Sequence, residues 1–296
     1  MHAIKVFLKL EKEDFDVLKT VEETMEKYKY APKDVIVKSA ALNKKEVTYR
    51  LRRLSKFRLI HQIGSPYRGY AMNNSGYDCL AIGYFVDTDV LQAFGKPVGV
   101  GKEADVYDAK SPKEERIAVK FHRLGRTSFR QTIKRRGYTT EHVDWFSQSK
   151  IAADKEFQGL KLVFSHGVSV PKPISKNRHA LVMGMIQGTE LARYKVIPKP
   201  TVVLTEILKN VQRAYLKANV IHADLSEYNV ILKNDMHVQI IDWPQYITSQ
   251  HPNAKELLTR DIDIILTFFK RRMFLKTRLE EALEYVTGNG KTSLMI

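Results

Sequence analysis

Three oxygen-bearing side chains in the second half of the chain stand at a spacing that suits phosphoryl transfer. The segment Ile221-His-Ala-Asp-Leu-Ser-Glu-Tyr-Asn-Val-Ile-Leu-Lys233 carries Asp224 and Asn229, and Ile240-Ile-Asp-Trp-Pro244 brings Asp242 shortly after. Asp224 can orient an attacking hydroxyl, while Asn229 and Asp242 offer hard oxygen ligands to Mg²⁺ or Mn²⁺. A lone Asp on a loop is usually a turn former or a helix cap, but the combination is harder to dismiss. Val220 and Ile221 before the motif, and Val230, Ile231 and Leu232 after it, predict short buried strands that hold the loop rigid, as charge-stabilising catalysis requires. An apolar strand from Val238 to Ile241 then delivers Asp242.

Such a centre needs a nucleotide cradle, and Gly99-Val-Gly-Lys-Glu-Ala-Asp-Val-Tyr107 has the composition for one. Its glycines let backbone N–H groups approach phosphates, between strands near Pro97 to Val100 and Asp105 to Ala109. That makes Gly99, Val100, Gly101, Lys102, Glu103, Ala104 and Val106 the nucleotide-binding candidates, although an ordinary hairpin turn explains a Gly-x-Gly pair equally well. In Ile117-Ala-Val-Lys-Phe121, strand alternation turns Ile117, Val119 and Phe121 one way, and Ala118 and Lys120 toward the cleft. A lysine held between apolar neighbours needs an anionic partner. Glu156, on a helix through Ala152-Ala-Asp-Lys-Glu-Phe157, is the choice, with Asp154 the competitor and an exposed helix face the structural alternative. His179 to Ile186 is an apolar strand. In a kinase-like fold it becomes the hinge, with Met183 behind the adenine, and the Gly184 carbonyl and Ile186 N–H toward it.

Upstream, the elements read as a small helical module. Phe15, Leu18, Val21 and Met25 recur at helical spacing, with Asp14 as the cap. Pro32 restarts the chain, a short helix follows through Val35 and Ala40, and Asn43 caps a third helix with Val47, Leu51 and Leu54 on one face. The opposite face carries Lys44, Lys45, Arg50, Arg53 and Lys56. A hairpin follows, Leu59–Ile63 and Tyr70–Met72 around Gly64-Ser-Pro-Tyr-Arg-Gly69. Three helices and a basic-tipped hairpin look like a winged helix-turn-helix, which lays its third helix in a groove and its wing on phosphates. Lys45, Arg50, Arg53 and Arg68 are the nucleic-acid candidates; a protein-binding role or a merely solvated basic face is the alternative.

The totals set bounds. The 296 residues carry a formal charge of +16, so polyanions are attracted at long range. Cys79 is the single cysteine, which excludes an intramolecular disulfide or a cysteine-based zinc site and fits a reducing compartment. Met1 to Phe15 lacks a signal core, and no apolar run reaches the roughly 18–20 residues that span a bilayer. The expectation is a cytoplasmic protein without membrane contact, and a monomer, since no apolar stripe is left unexplained.

Together, the winged helix, Gly-Val-Gly-Lys-Glu-Ala-Asp-Val-Tyr, Ala-Val-Lys, His-Ala-Asp-Leu-Ser-Glu-Tyr-Asn and Ile-Asp-Trp-Pro resemble the Rio family of atypical serine/threonine kinases over nearly the whole chain. The winged helix resembles that of the Rio-two branch, and the absence of a long tail its short archaeal form. The resemblance implies an α+β fold: an N-terminal winged helix-turn-helix domain with linker helix (1–84), then a compact bilobal protein-kinase-like RIO domain with an N-lobe (85–186) and a truncated C-lobe (187–296). It implies ATP and Mg²⁺ as cofactors, Lys120 on the α/β-phosphates paired with Glu156, Asp224 orienting a nucleophile, and Asn229 and Asp242 on the metal. Ala104 stands where the family often has Ser, so Lys102 and backbone donors must hold that part of the phosphate.

No Ala-Pro-Glu follows Asp242, and there is little room for a peptide-docking lobe, which disfavours efficient phosphorylation of many proteins. The resemblance points instead to a switch-like ATPase with a transient aspartyl phosphate on Asp242. As partners it implies immature small ribosomal subunits, their rRNA and ribosomal assembly proteins. Arg123, Arg126, Arg130, Lys134, Arg135 and Arg136 form a second basic strip, read as a mobile loop that contacts RNA or closes over ATP. Asp261, on an amphipathic helix, either supports the catalytic loop from beneath or is a surface or capping residue. Two other readings stand beside this one: a small-molecule phosphotransferase of the aminoglycoside or choline kinase type, and a catalytically silent nucleic-acid-binding assembly factor.

Overall fold

The computed structural model describes residues 1–65, 67–124 and 145–289, which divide into two units: Met1–Lys150 with Asn177–Ala180, and Ile151–Lys176 with Leu181–Ile296. Of the second basic strip, Arg126, Arg130, Lys134, Arg135 and Arg136 lie outside the described residues.

The first unit begins with α1 (His2–Phe7) and α2 (Lys12–Met25). Helix α2 starts earlier than its apolar spacing indicates because Glu11, not Asp14, is the N-cap. The Glu11 N–H donates to Asp14 Oδ2 at 3.0 Å, and the Glu11 carboxylate reciprocates at the Asp14 N–H. This is a capping box with acids in both positions, satisfying two terminal donors. After β1 (Ala31–Pro32) and α3 (Lys33–Ser39), Asn43 caps α4 (Lys44–Lys56) as expected: its side chain accepts from the Glu46 N–H at 2.9 Å. Val47, Leu51 and Leu54 are fully buried. Strands β2 (Ile60–Ile63) and β3 (Gly69–Met72) pair antiparallel, and β1 joins the free side of β3.

Helix α5 (Asn74–Asp87) packs its first turn so tightly on this hairpin that a Cβ on Gly76 would lie 2.5 Å from both the Leu59 carbonyl and Met72 Cγ. Glycine is required there by close approach, not by its dihedrals. The unit then runs through β4 (Ala93–Val100), β5 (Ala104–Lys110) and β6 (Arg116–His122), an antiparallel meander.

Helix α6 (Trp145–Ser165) and the hairpin β7 (Pro173–Asn177) and β8 (Ala180–Gly184) carry the chain into the second unit. There β9 (Thr189–Glu190), β11 (Val230–Leu232) and β12 (Val238–Ile240) form one small sheet in the order β12-β11-β9, and β10 (Val220–Ile221) with β13 (Ile247–Thr248) form another. Gly188 feeds β9 against β11, where a Cβ would meet the Leu232 carbonyl at 2.7 Å. Helices α7 (Pro200–Leu216), α8 (Ala254–Met273) and α9 (Leu279–Thr287) bury Leu204, Ile207, Ile262, Phe269 and Val286. No helix among the described residues is long and apolar enough to cross a membrane.

Candidate phosphoryl-transfer site

In the first unit the strand register aligns three of the predicted residues. Gly99 pairs with Val106, and Val106 pairs with Lys120, so the three lie in one row across β4, β5 and β6 and share a face. Lys120 is only 7% exposed. Among the described residues, its chain neighbours apart, nothing lies within 4 Å of where a Gly99 Cβ would stand. None of those residues demands a glycine there, and the missing side chain permits a close approach by a ligand. The strands join through a tight turn closed by the Gly101 N–H on the Ala104 carbonyl at 2.8 Å. Val100, Gly101, Lys102 and Glu103 are exposed, and Ala104 and Val106 half-buried.

The second unit assembles Asp224, Asn229 and Asp242. Pairing of Val230 with Ile240 places Asn229, just before β11, beside Ile241, just after β12, and the Asn229 carbonyl accepts the Ile241 N–H at 2.9 Å. The next residue is Asp242. Asn229 also reaches back, its Nδ2 donating to the Asp224 carbonyl at 2.8 Å, which leaves its Oδ1 as the atom to offer a metal. His222 Nε2 lies 2.9 Å from the Ile241 carbonyl, and its ring sits 4.6 Å from that of the buried Trp243. Each link ties the Asp224 loop to the strand end that bears Asp242.

Two residues with strained backbone lie at the same place. Ala223 and Asp242 adopt φ of 64° and 67°, a left-handed conformation costing a non-glycine residue on the order of 1–3 kcal/mol, found where surrounding structure over-determines it. Asp261 supplies much of that support. It is 1% exposed on α8 and accepts the Ala223 N–H at 2.7 Å and the Leu225 N–H at 3.2 Å, bracketing Asp224 from below. Arg260 donates to the Ala223 carbonyl. Burial pushes the Asp261 carboxyl above the usual aspartate range, against the lowering effect of His222 and the two N–H donors. The open question about Asp261 is resolved: it holds up the catalytic loop.

The donor chemistry fits Mg²⁺. Asn229 and Asp242 supply hard oxygen donors, the kind Mg²⁺ takes from one or two side chains together with substrate phosphates; no cluster of three His, Cys, Asp or Glu side chains suited to a metal exists among the described residues. Glu156 is 1% exposed on α6, so its predicted helix face is buried. Met183 is buried on β8; Gly184 donates its N–H to the Lys172 carbonyl at 2.8 Å, and Ile186 follows, half-buried.

Two of the nucleic-acid candidates are otherwise engaged. Arg50, expected on the exposed face of α4, is 7% exposed and binds Glu11 at 2.7 Å, Glu46 at 2.6 Å and Asp14 at 3.4 Å. Arg53 bonds Asp14 at 3.1 Å and Glu11 at 3.0 Å. The acidic first turn of α2 has converted both into structural cations. Lys45 and Arg68 are exposed, as predicted. Arg123 departs further from expectation: it is buried, not a mobile-loop residue. A basic residue among basic neighbours reads as surface; what could have flagged it is its place at the end of an apolar strand.

Comparison with known proteins agrees with this geometry. The RIO domain family matches residues 105–282, and the N-terminal family of Rio2 matches residues 7–88. The chain belongs to the RIO family of serine/threonine-protein kinases. Its similarity is to the Rio2 members in particular: it is 38% identical over 274 residues to the RIO-type serine/threonine-protein kinase Rio2 of Methanocaldococcus jannaschii, covering 89% of this chain and 100% of the relative. The rio2 kinase of Dictyostelium discoideum is 32% identical over 265 residues, and there 89% of this chain spans 51% of the longer relative. The fold matches the Rio2 kinase of Chaetomium thermophilum, solved as an ADP/Mg²⁺-phosphoaspartate complex, with a TM-score of 0.82 at 28% identity over 97% of this chain and 94% of that one.

Proposed function

We propose that this chain is an ATP- and Mg²⁺-dependent phosphotransferase and ATPase that acts in maturation of the small ribosomal subunit. The observation that carries the catalytic part is the single loop cluster holding Asp224, Asn229 and Asp242, with left-handed backbone at Ala223, just before Asp224, and at Asp242 itself. Lys120 holds the α/β-phosphates and pairs with Glu156, and the 100–104 turn covers the phosphates with backbone donors. Met183, Gly184 and Ile186 take the adenine. Asn229 and Asp242 hold Mg²⁺, which when bound neutralises charge developing on the phosphates.

Asp224 orients the group that attacks. For the ATPase, the Asp242 carboxylate attacks the γ-phosphorus, the bond to the β-γ bridging oxygen breaks, and ADP leaves; water then hydrolyses the acyl phosphate to free the carboxylate and phosphate. The phosphoaspartate in the Chaetomium thermophilum Rio2 complex supports this reading. Serine/threonine autophosphorylation uses the same loop with a hydroxyl as acceptor. The +16 charge, with exposed Lys45 and Arg68, favours binding of pre-ribosomal rRNA by a cytoplasmic monomer.

The test uses γ-labelled ATP with Mg²⁺ and compares the unaltered chain with Asp224→Ala and Asp242→Ala. Loss of phosphate release in both variants, and of the acid-stable, hydroxylamine-labile phosphoprotein in Asp242→Ala, is expected; equal release from all three eliminates catalysis at this site. Co-sedimentation with immature small subunits, in ATP and in a non-hydrolysable analogue, tests the biological part, with release expected in ATP alone.

A further inference from the structure

The sheet that presents Lys120 on one face carries a buried ionic cluster on the other. Register places Asp105 opposite Phe121, and Arg123, two residues beyond Phe121, continues along that same reverse face. The guanidinium of Arg123 donates to Asp105 Oδ2 through Nε at 2.9 Å, and grips Asp78, on α5, at both carboxylate oxygens, at 2.7 and 3.0 Å. All three residues are buried. The backbone N–H of Arg123 also donates to the carbonyl of Glu103, inside the turn between β4 and β5. Asp78 is braced in turn by His179, 2.8 Å from Asp78 Oδ1. One residue therefore touches the turn through its main chain, the base of the turn's second strand through one arm of its fork, and the N-terminal domain through the other.

We infer that Arg123 is a positioning residue for the phosphate-cradling turn, holding residues 100–105 at a fixed height by anchoring their rear to α5. The inference rests on the reading of that turn as the nucleotide cradle. Lysine cannot replace it: a point ammonium lacks the planar fork that spans two carboxylates at once. The role also accounts for a strongly basic residue at the end of an apolar strand, a position that ordinary phosphate contact would leave open to water.

The test measures affinity for ATP and for adenosine in the unaltered chain, Arg123→Lys and Asp105→Asn, together with hydrogen exchange of the 100–105 backbone without nucleotide. Asp105→Asn keeps the shape of the side chain and leaves the Arg123–Asp78 pair in place, so it carries the test should Arg123→Lys fail to fold. ATP affinity is expected to fall about tenfold in each variant, since a small displacement of positioning groups is enough for that, with adenosine affinity within about twofold and faster exchange at the turn. A loss equal for ATP and adenosine, or none for either, or unchanged exchange, overturns the proposal while leaving the nucleotide reading intact. Failure of the unaltered chain to bind ATP overturns both.

Discussion

Asp261 offers the sharpest test of how the catalytic loop is held. Replacing it with Ala strips acceptors from two N–H groups, those of Ala223 and Leu225. Each buried orphan donor costs about 1–3 kcal/mol, so Asp261→Ala should cost about 2–6 kcal/mol. At about 2–4 °C per kcal/mol, the melting temperature should fall by at least about 4 °C. Part of that cost comes from Ala223, held at φ 64° by the bond it loses, so adding Ala223→Gly, which tolerates that dihedral, should recover about 1 kcal/mol. Because the lost bonds bracket Asp224, kcat for ATP hydrolysis should drop about 100-fold, the scale of an ångström-sized misplacement, while KM for ATP changes little. Asp261→Asn keeps one acceptor and should fall between. A melting temperature and kcat both unchanged in Asp261→Ala would refute the argument that buried acceptors, and not the loop's own sequence, fix its shape.

Other consequences follow from the charges and close contacts. Arg50→Ala should lower the melting temperature in a thermal scan, but short of unfolding the domain, since Arg53 still pairs with Asp14 and Glu11. Lys45→Ala should leave the melting temperature alone, and lower RNA affinity and its salt dependence in filter binding. Burial holds the His179 imidazole below its usual 6.5, against the pull of Asp78. Its contribution is therefore present above pH 6.5 and lost as pH falls through the depressed value, so melting scans between pH 7.5 and 5.5 should decline more steeply for the unaltered chain than for His179→Asn. Gly188→Ala, driving a methyl into the Leu232 carbonyl at 2.7 Å, should cost about 1–3 kcal/mol by the usual penalty for overpacking, read from chemical denaturation.

Much of this site is legible in the residue order because its logic is local. The His222, Asp224 and Asn229 spacing, the apolar strand before Asp242, and the alternation that isolates Lys120 all operate within a few residues, where backbone periodicity dictates which groups meet. The Asn43 cap and the Val47, Leu51 and Leu54 stripe were readable for the same reason. Arg50 and Arg123 were not. Each looks like part of a positive surface until partners distant in the chain arrive: Glu11 lies 39 residues before Arg50, and Asp78 lies 45 before Arg123. Asp14 misled over a shorter range, since a Glu at the N-cap position is an unusual signal and the acid three residues on looked the better cap. For Asp261 the sequence left support and surface equally open, because only the folded backbone shows which N–H groups need an acceptor.

The Asp78 grip on Arg123 bears on how this enzyme can be dissected. A fragment trimmed to the matched RIO domain, starting at residue 105, keeps Arg123 and Asp105 but discards the bidentate partner Asp78, together with β4 and the 100–104 turn. Anyone cutting the gene for a minimal catalytic piece should expect insoluble material or weak turnover, and that weakness would say nothing about whether the missing 104 residues touch RNA. In this chain helix α5 and strand β5 share one buried cation, and removing either side loosens the other.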